Sequence, residues 1–432
     1  MRRLRLYISG LIALILVLAA AGQSARAAAD GTGPDVMAVQ EKYSERLLSV
    51  PEVVGTAAGQ DVVIVLATDA SVSEVVPDEL DGVPVDIRVT GEFKALKTNV
   101  ETCRSDRPVP IGVATSAVGS DVTGTVACRV TDGAQVYGLS TWHIWGAGSS
   151  KPVGTEVVQP GGQSGAGEGV MGTIAGYRDV SFEPGSVNRM DAAVAMTSTE
   201  DLGVSTPEDG YGTPQTRVEP ASPGQEVEKY GAGTGLTRGR VVGVNAILDV
   251  SYGDKTARFV EQILVKGTGT FAEAGDSGAL IVTNFGRNPV GLVFAGGRDG
   301  EFAVATPIGM TLAAFGVSVD TRKVTDLAVK EMSADIVGDE GTLVKVSACI
   351  TNLGAREITS DIEVTLKRSG NGILATETIS GGLGVRQGAR LAFTWEPEDY
   401  SGTADLVVSH NVSDDRSEND SATATVQVGP VE

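Results

Sequence analysis

Three cysteines and two histidines are all that 432 residues contain, aromatic residues make up 5%, and 34 Lys and Arg face 55 Asp and Glu. Each shortage excludes something. A formal charge of −21 leaves no basic surface for non-specific nucleic-acid binding, because a phosphate backbone selects clustered Lys and Arg. It equally disfavours adsorption to anionic lipid, and its plain physical role is solubility outside a cell. An odd number of cysteines leaves at least one outside any intramolecular pair. With two histidines, any chemistry that needs an imidazole has two places to look. There is no internal repeat and no long low-complexity segment.

Long apolar runs are also scarce, and the one that stands out is N-terminal. Arg2, Arg3 and Arg5 precede Leu11 to Leu18, and small residues follow, with Ala25-Arg26-Ala27 and Ala27-Ala28-Ala29 as cleavage sites. Leu6 to Ala21 is short for a membrane span, and no cysteine follows to carry a lipid. Residues 1–29 therefore read as a signal peptide, and the protein as secreted, extracellular or at the cell surface, with no membrane contact after cleavage. Export permits disulfides. Cys103 and Cys128 are the candidate pair, a closure that adds about 3 kcal/mol by chain entropy. Cys349 reads as a small buried apolar residue.

Hydrophobic residues at 41% and charged residues at 21% describe a folded chain, and its length calls for two or three domains. Residues 30–100 open with Val36, Val39, Tyr43, Leu47 and Leu48 at helical spacing. Strand-like runs at 53–56, 62–66 and 83–89 follow, which together make a small α+β unit. Residues 101–322 are short apolar runs separated by Gly, Pro, Asn and Asp, with no amphipathic helix until Met310 to Phe315, which predicts a barrel or sandwich. Residues 323–432 alternate polar and apolar positions, as in Ile362 to Leu366 and Ala424 to Val428, and predict an immunoglobulin-like β-sandwich.

The strongest local signal for chemistry is Gly275-Asp276-Ser277-Gly278. Acyl transfer needs a hydroxyl nucleophile beside backbone N–H groups that hold a developing oxyanion. Gly275 lets the chain turn so that its own N–H and that of Ser277 point to one spot, and Gly278 removes a side chain that would crowd the attacking face. His410 lies far along the chain and reads as a surface residue, which leaves His143 as the base. A carboxylate must orient that imidazole. Asp191, directly before the apolar run Ala192 to Met196, is the candidate; Asp132, Asp179 and Asp201 sit in polar, turn-like settings.

Leu139 to His143, Asp191 with its apolar run, Gly275 to Gly278 and the order His, Asp, Ser resemble the chymotrypsin-like serine peptidases, particularly secreted bacterial ones, over about Arg104 to Val317. The resemblance implies two six-stranded β-barrels with a triad of His143, Asp191 and Ser277 at their junction, and Gly275 and Ser277 as the oxyanion hole. It also implies that Val290 to Gly297 lines the substrate cleft, with Phe294 and Gly296 in contact with substrate, and that Phe271 stands at the base of the specificity pocket. With no acid there, a small or apolar preference is expected rather than Arg or Lys. Trp142 departs from the family, where a small residue or Asn commonly precedes the histidine.

On this reading the chain is a serine endopeptidase needing no cofactor and no metal, with protein or peptide substrates. The unit at 30–100 reads as a pro-region. The C-terminal module resembles adhesion-related sandwich modules of bacterial surface proteins, and either docks to a substrate or surface or acts as a spacer. Its acidic group Asp414, Asp415, Glu418 and Asp420 reads as a solvated turn, with calcium as the alternative. A catalytically weak peptidase-fold protein that binds or adheres outside the cell is the other reading of the whole.

Overall fold

The computed structural model describes residues 34–98, 105, 107–146, 152–162, 169–337, 343–354, 356–370, 372–397, 400–415 and 417–429. The signal peptide expected at 1–29 and Cys103 lie outside them. Strands dominate, and the described helices are few: Val36–Leu48, Trp142–Trp145 and Ile308–Phe315. None is long and apolar enough to cross a membrane.

One antiparallel sheet is built from Ala114–Ala117, Gly124–Thr125, Cys128–Thr131, Val136–Ser140, Glu156–Val158, Val170–Arg178, Ala192–Thr197 and Ser318–Val319. It curls because the chain around residue 126 bonds to both ends. The Val126 N–H donates to the Val113 carbonyl, and the Ala127 N–H to the Leu139 carbonyl. Its interior holds Leu139, Ile144, Trp145, Val157 and Met171. Cys128 belongs to the same core. The expected bond to Cys103 is not seen from its described half, since Cys128 is a free, buried thiol. It points among apolar side chains, where burial pushes the thiol up to about 12.

A second barrel closes fully. Glu226–Gly231 pairs with Gly235–Ser251 on one side and Leu280–Thr283 on the other, and Thr256–Gly267, Phe302–Pro307 and Pro289–Gly296 complete the ring of six. Val227, Val241, Ile263, Val265, Ile281 and Val293 fill it.

Residues 34–98 form the helix and strands that the pattern predicts. Asp35 caps the helix by accepting from the N–H groups of Met37 and Ala38, and Val39 and Leu47 pack over Val63 and Val65. These strands do not make a separate layer. Gly235–Ser251 is 17 residues long, more than the barrel uses, and its middle pairs with Val53–Ala58. The N-terminal strands thus extend the second barrel's sheet.

The C-terminal part is a sandwich of a three-stranded and a four-stranded sheet. Leu327, Val346, Ile350, Val364, Leu366 and Val408 lie among the buried residues of its core. Cys349 is half-buried rather than buried as expected, because alternation on Leu343–Asn352 points Ala348 and Ile350 inward and Cys349 outward.

Candidate active site

His143 stands where the strand Val136–Ser140 gives way to the single helical turn Trp142–Trp145, a short turn past the strand end expected of it. Asp191 immediately precedes the strand Ala192–Thr197. That strand pairs with Val136–Ser140, Ala193 opposite Ser140, so the first barrel's register brings the two residues together. Ser277 comes from the second barrel, in the turn before Leu280–Thr283.

The three side chains meet, all essentially buried. His143 Nδ1 lies 2.5 Å from Asp191 Oδ2, and Nε2 lies 2.8 Å from Ser277 Oγ. Because a carboxylate only accepts, Nδ1 carries the proton and Nε2 is left as the acceptor facing the serine hydroxyl. Asp191 Oδ1 also accepts from the His143 backbone N–H at 3.1 Å, which fixes the carboxylate as well as the ring.

A residue the sequence did not single out completes this group. Tyr252 donates its hydroxyl to Asp191 Oδ2 at 2.8 Å, and its ring meets the imidazole edge-on at 5.5 Å. Burial and the neighbouring Asp191 charge hold the phenol well above its ordinary pKa, so it remains a donor.

The N–H groups of Gly275 and Ser277 converge, with Gly275 at φ +102°. Both donate to one oxygen, the carbonyl of Leu96, at 3.1 and 3.2 Å. Gly278 serves a different purpose from the one expected. A Cβ there would lie 2.0 Å from the Thr125 carbonyl oxygen and 2.5 Å from Ser140 Oγ. Its absence lets the turn that carries Ser277 press against the first barrel, rather than clearing the attacking face.

Asp276 faces inward. It accepts from the Gly233, Thr234 and Glu273 N–H groups and the Thr234 hydroxyl. Its Oδ2 lies 3.2 Å from Lys229 Nζ, both side chains fully buried. Burial lowers the Lys229 pKa against the opposing pull of Asp276.

Of the expected substrate contacts, Phe294 offers its main chain. Its carbonyl lies 3.0 Å from Ser277 Oγ and accepts from the Leu96 N–H at 3.3 Å, while its ring packs on Phe259. Gly296 lies against Leu96: a Cβ on it would be 2.9 Å from Leu96 Cδ2. Phe271 is buried in the apolar cluster that contains Leu96. Trp142 is half-buried beside the Phe259 and Phe294 cluster. The other acids point elsewhere. Asp132 caps an exposed turn, Asp179 is exposed and Asp201 pairs with Arg107.

His410 is not a surface residue: its side chain is buried in the sandwich, with Nε2 bonded to the Leu327 carbonyl. It lies with Asp414 and Asp420, ligand atoms within 4.8 Å of one another. Asp414 and Asp415 accept from the N–H groups of Leu327 and Thr325. They tie this loop to the start of the sandwich, so of the group expected as a solvated turn Asp415 and Glu418 are exposed while Asp414 and Asp420 are half-buried.

Residues 206–313 match the family model of peptidase family S64. Comparison with curated proteins yields no match. Among solved structures, the chain is similar to a glutamic acid-specific serine protease, with 22% identity over 49% of this chain and all of that one, TM-score 0.37. Thermobifida fusca protease A matches at 22% identity over 50% of this chain and 99% of its own, TM-score 0.36. The CARDB domain of a Pyrococcus furiosus protein, solved with di-metal ions, matches at 23% identity over 24% of this chain and 89% of its own, TM-score 0.21. The class follows from the paired barrels and the family match: this is a chain with a chymotrypsin-like fold, similar to bacterial serine peptidases. More particularly, the S64 match spans all six strands of the second barrel and includes Ser277.

Proposed function

We propose that the chain is a secreted serine endopeptidase in which Ser277 attacks the scissile carbonyl. His143 takes the hydroxyl proton and passes it to the leaving amine. Asp191 holds the imidazole tautomer and stabilises its charged form, and the N–H groups of Gly275 and Ser277 bind the oxyanion. The observation that carries this reading is the unbroken relay from Asp191 through His143 to Ser277 Oγ, at 2.5 and 2.8 Å. Water then hydrolyses the acyl-enzyme by the same route reversed.

The reading extends to the flanking parts. Residues 1–29 direct export, 30–100 act as a pro-region, 101–322 form the peptidase and 323–432 an immunoglobulin-like module that docks to a substrate or surface. Secreted protein incubated with a fluorophosphonate probe and with a denatured protein substrate tests the central claim. Labelling on Ser277 and hydrolysis, both abolished by Ser277→Ala, are expected; hydrolysis that survives Ser277→Ala refutes it.

A further inference from the structure

The oxygen in the candidate oxyanion site belongs to the chain itself. Residues Phe93–Ala95 run antiparallel to the cleft strand, with Lys94 opposite Gly296 and Ala95 opposite Ala295. At Leu96 the chain turns tightly, the Lys97 N–H reaching the Ala95 carbonyl. The Leu96 N–H approaches the Phe294 carbonyl at 3.3 Å and Ser277 Oγ at 3.1 Å, while its carbonyl takes both N–H groups of Gly275 and Ser277. Two residues later Thr98 crosses to the first barrel, exchanging both backbone hydrogen bonds with Thr123 at 3.1 and 2.6 Å. The peptide bond after Leu96 is therefore gripped on one side by the second barrel and on the other by the first, with the nucleophile beneath it.

We infer that Leu96–Lys97 is the bond at which this protein cleaves itself, and that the side-chain pocket beside Ser277 is built for an aliphatic residue of leucine's size. The inference rests on the endopeptidase reading and names its first substrate. Leu96 is 8% exposed, in one cluster with Phe271, Ala272 and Val293. It lies on Gly296, where any side chain would displace it. The cluster that receives Leu96 is apolar, so a charged side chain reaching into it would lose its hydration.

The chemistry balances with water as the one co-reactant. Ser277 Oγ bonds to the Leu96 carbonyl carbon as its proton moves to His143 Nε2. The carbon–nitrogen bond to Lys97 breaks, and the Lys97 amine leaves with that proton. Water then opens the ester, giving a carboxylate at Leu96 and restoring the serine. Since the strand delivering the bond belongs to the same sheet as the nucleophile's barrel, the reaction is intramolecular. Residues 34–96 keep their pairing with Gly235–Ser251 afterwards, while the cut ends at Leu96 and Lys97 are no longer joined across the cleft and open it to other substrates.

The test uses the full chain as secreted. Intact mass and N-terminal sequencing are expected to find one fragment ending at Leu96 and another beginning at Lys97, formed at a first-order rate unchanged over a hundredfold range of protein concentration. Ser277→Ala should stay whole. Leu96→Met should be cut, and Leu96→Asp should slow cutting at this bond at least about 100-fold, as expected of a charge taken out of water into an apolar cluster. A fluorophosphonate and a denatured protein substrate are tested on the same preparations. Protein that labels and hydrolyses yet remains joined at 96–97, or is cut at another bond, overturns this inference and leaves the endopeptidase reading standing. Protein that neither labels, hydrolyses nor cuts in wild-type and Leu96→Asp forms overturns both.

Discussion

Removing the ammonium of Lys229 by Lys229→Met tests what holds the nucleophile turn in place. Lys229 Nζ and Asp276 Oδ2 are 3.2 Å apart with neither side chain exposed, and breaking such a buried pair costs about 3–5 kcal/mol, because one charge is left without its partner. Asp276 retains donors from Gly233, Thr234 and Glu273, which places the loss near the lower end, about 3 kcal/mol. Asp276 also lies between Gly275 and Ser277, whose N–H groups are the proposed oxyanion donors. A turn that relaxes far enough to misdirect one of them lowers kcat by about 10²–10³. The assay pairs urea unfolding with steady-state hydrolysis of a leucyl peptide. Trp145 reports on the first barrel, Trp142 on its junction with the second and Trp395 on the sandwich, so separate transitions can be resolved. Lys229→Met with Asp276→Asn should lose less than the two single changes added together, because no orphan charge remains. A single Lys229→Met protein within about 1 kcal/mol of wild type, with kcat within about threefold, would refute the reasoning.

Two further outcomes follow from buried hydroxyl and thiol groups. Tyr252→Phe removes the 2.8 Å donor to Asp191; it should cost about 1.5–3 kcal/mol of stability and lower kcat with KM nearly unchanged, since the hydroxyl faces the carboxylate and not the cleft. Equal loss in kcat and rise in KM would count against a positioning role. In alkali, Cys128 has its pKa raised from 9.0 to about 12, and Tyr252 and Tyr211 are raised well above 10.0. The folded state therefore keeps protons that the unfolded state releases, so stability is intact below about pH 9 and falls as pH climbs through the folded values. Cys128 accounts for about 4 kcal/mol of that fall by pH 12. Cys128→Ala should flatten the alkaline limb of a stability–pH curve, and an unchanged slope would contradict it.

The helices and strands were legible because their physics is local. Val36, Val39, Tyr43 and Leu47 mark the stripe that the helix Val36–Leu48 presents to its strands, and glycine punctuation marks many of the barrel turns. The join between the N-terminal unit and the second barrel was not legible. Gly55 pairs with Leu248 across nearly two hundred residues, and no local pattern encodes a partner that distant. Gly235–Ser251 further disguises itself: Gly239, Gly243 and Asn245, the last at φ +53°, break its periodicity and shift its register, so it reads as several short runs.

At the site, legibility followed rarity. A chain with two histidines offers few candidates for a base, and Gly275-Asp276-Ser277-Gly278 marks a candidate nucleophile by its turn. The groups that hold these residues are common types in bland settings. Tyr252 is one of eight tyrosines, and Lys229 sits in Glu226-Val227-Glu228-Lys229-Tyr230, which reads as a solvated strand until the barrel closes around it. One signal could have found Lys229: an aspartate flanked by Gly275 and Ser277 in a buried turn requires a cation, and an otherwise apolar barrel offers few. Leu96 carries no such signal. Its place depends on the sheet carrying Phe93–Ala95 past Gly296, which requires the N-terminal strands to be already paired with Gly235–Ser251. The same long-range pairing that hid the domain join therefore delivers the chain's own Leu96 peptide to Ser277, the proposed nucleophile.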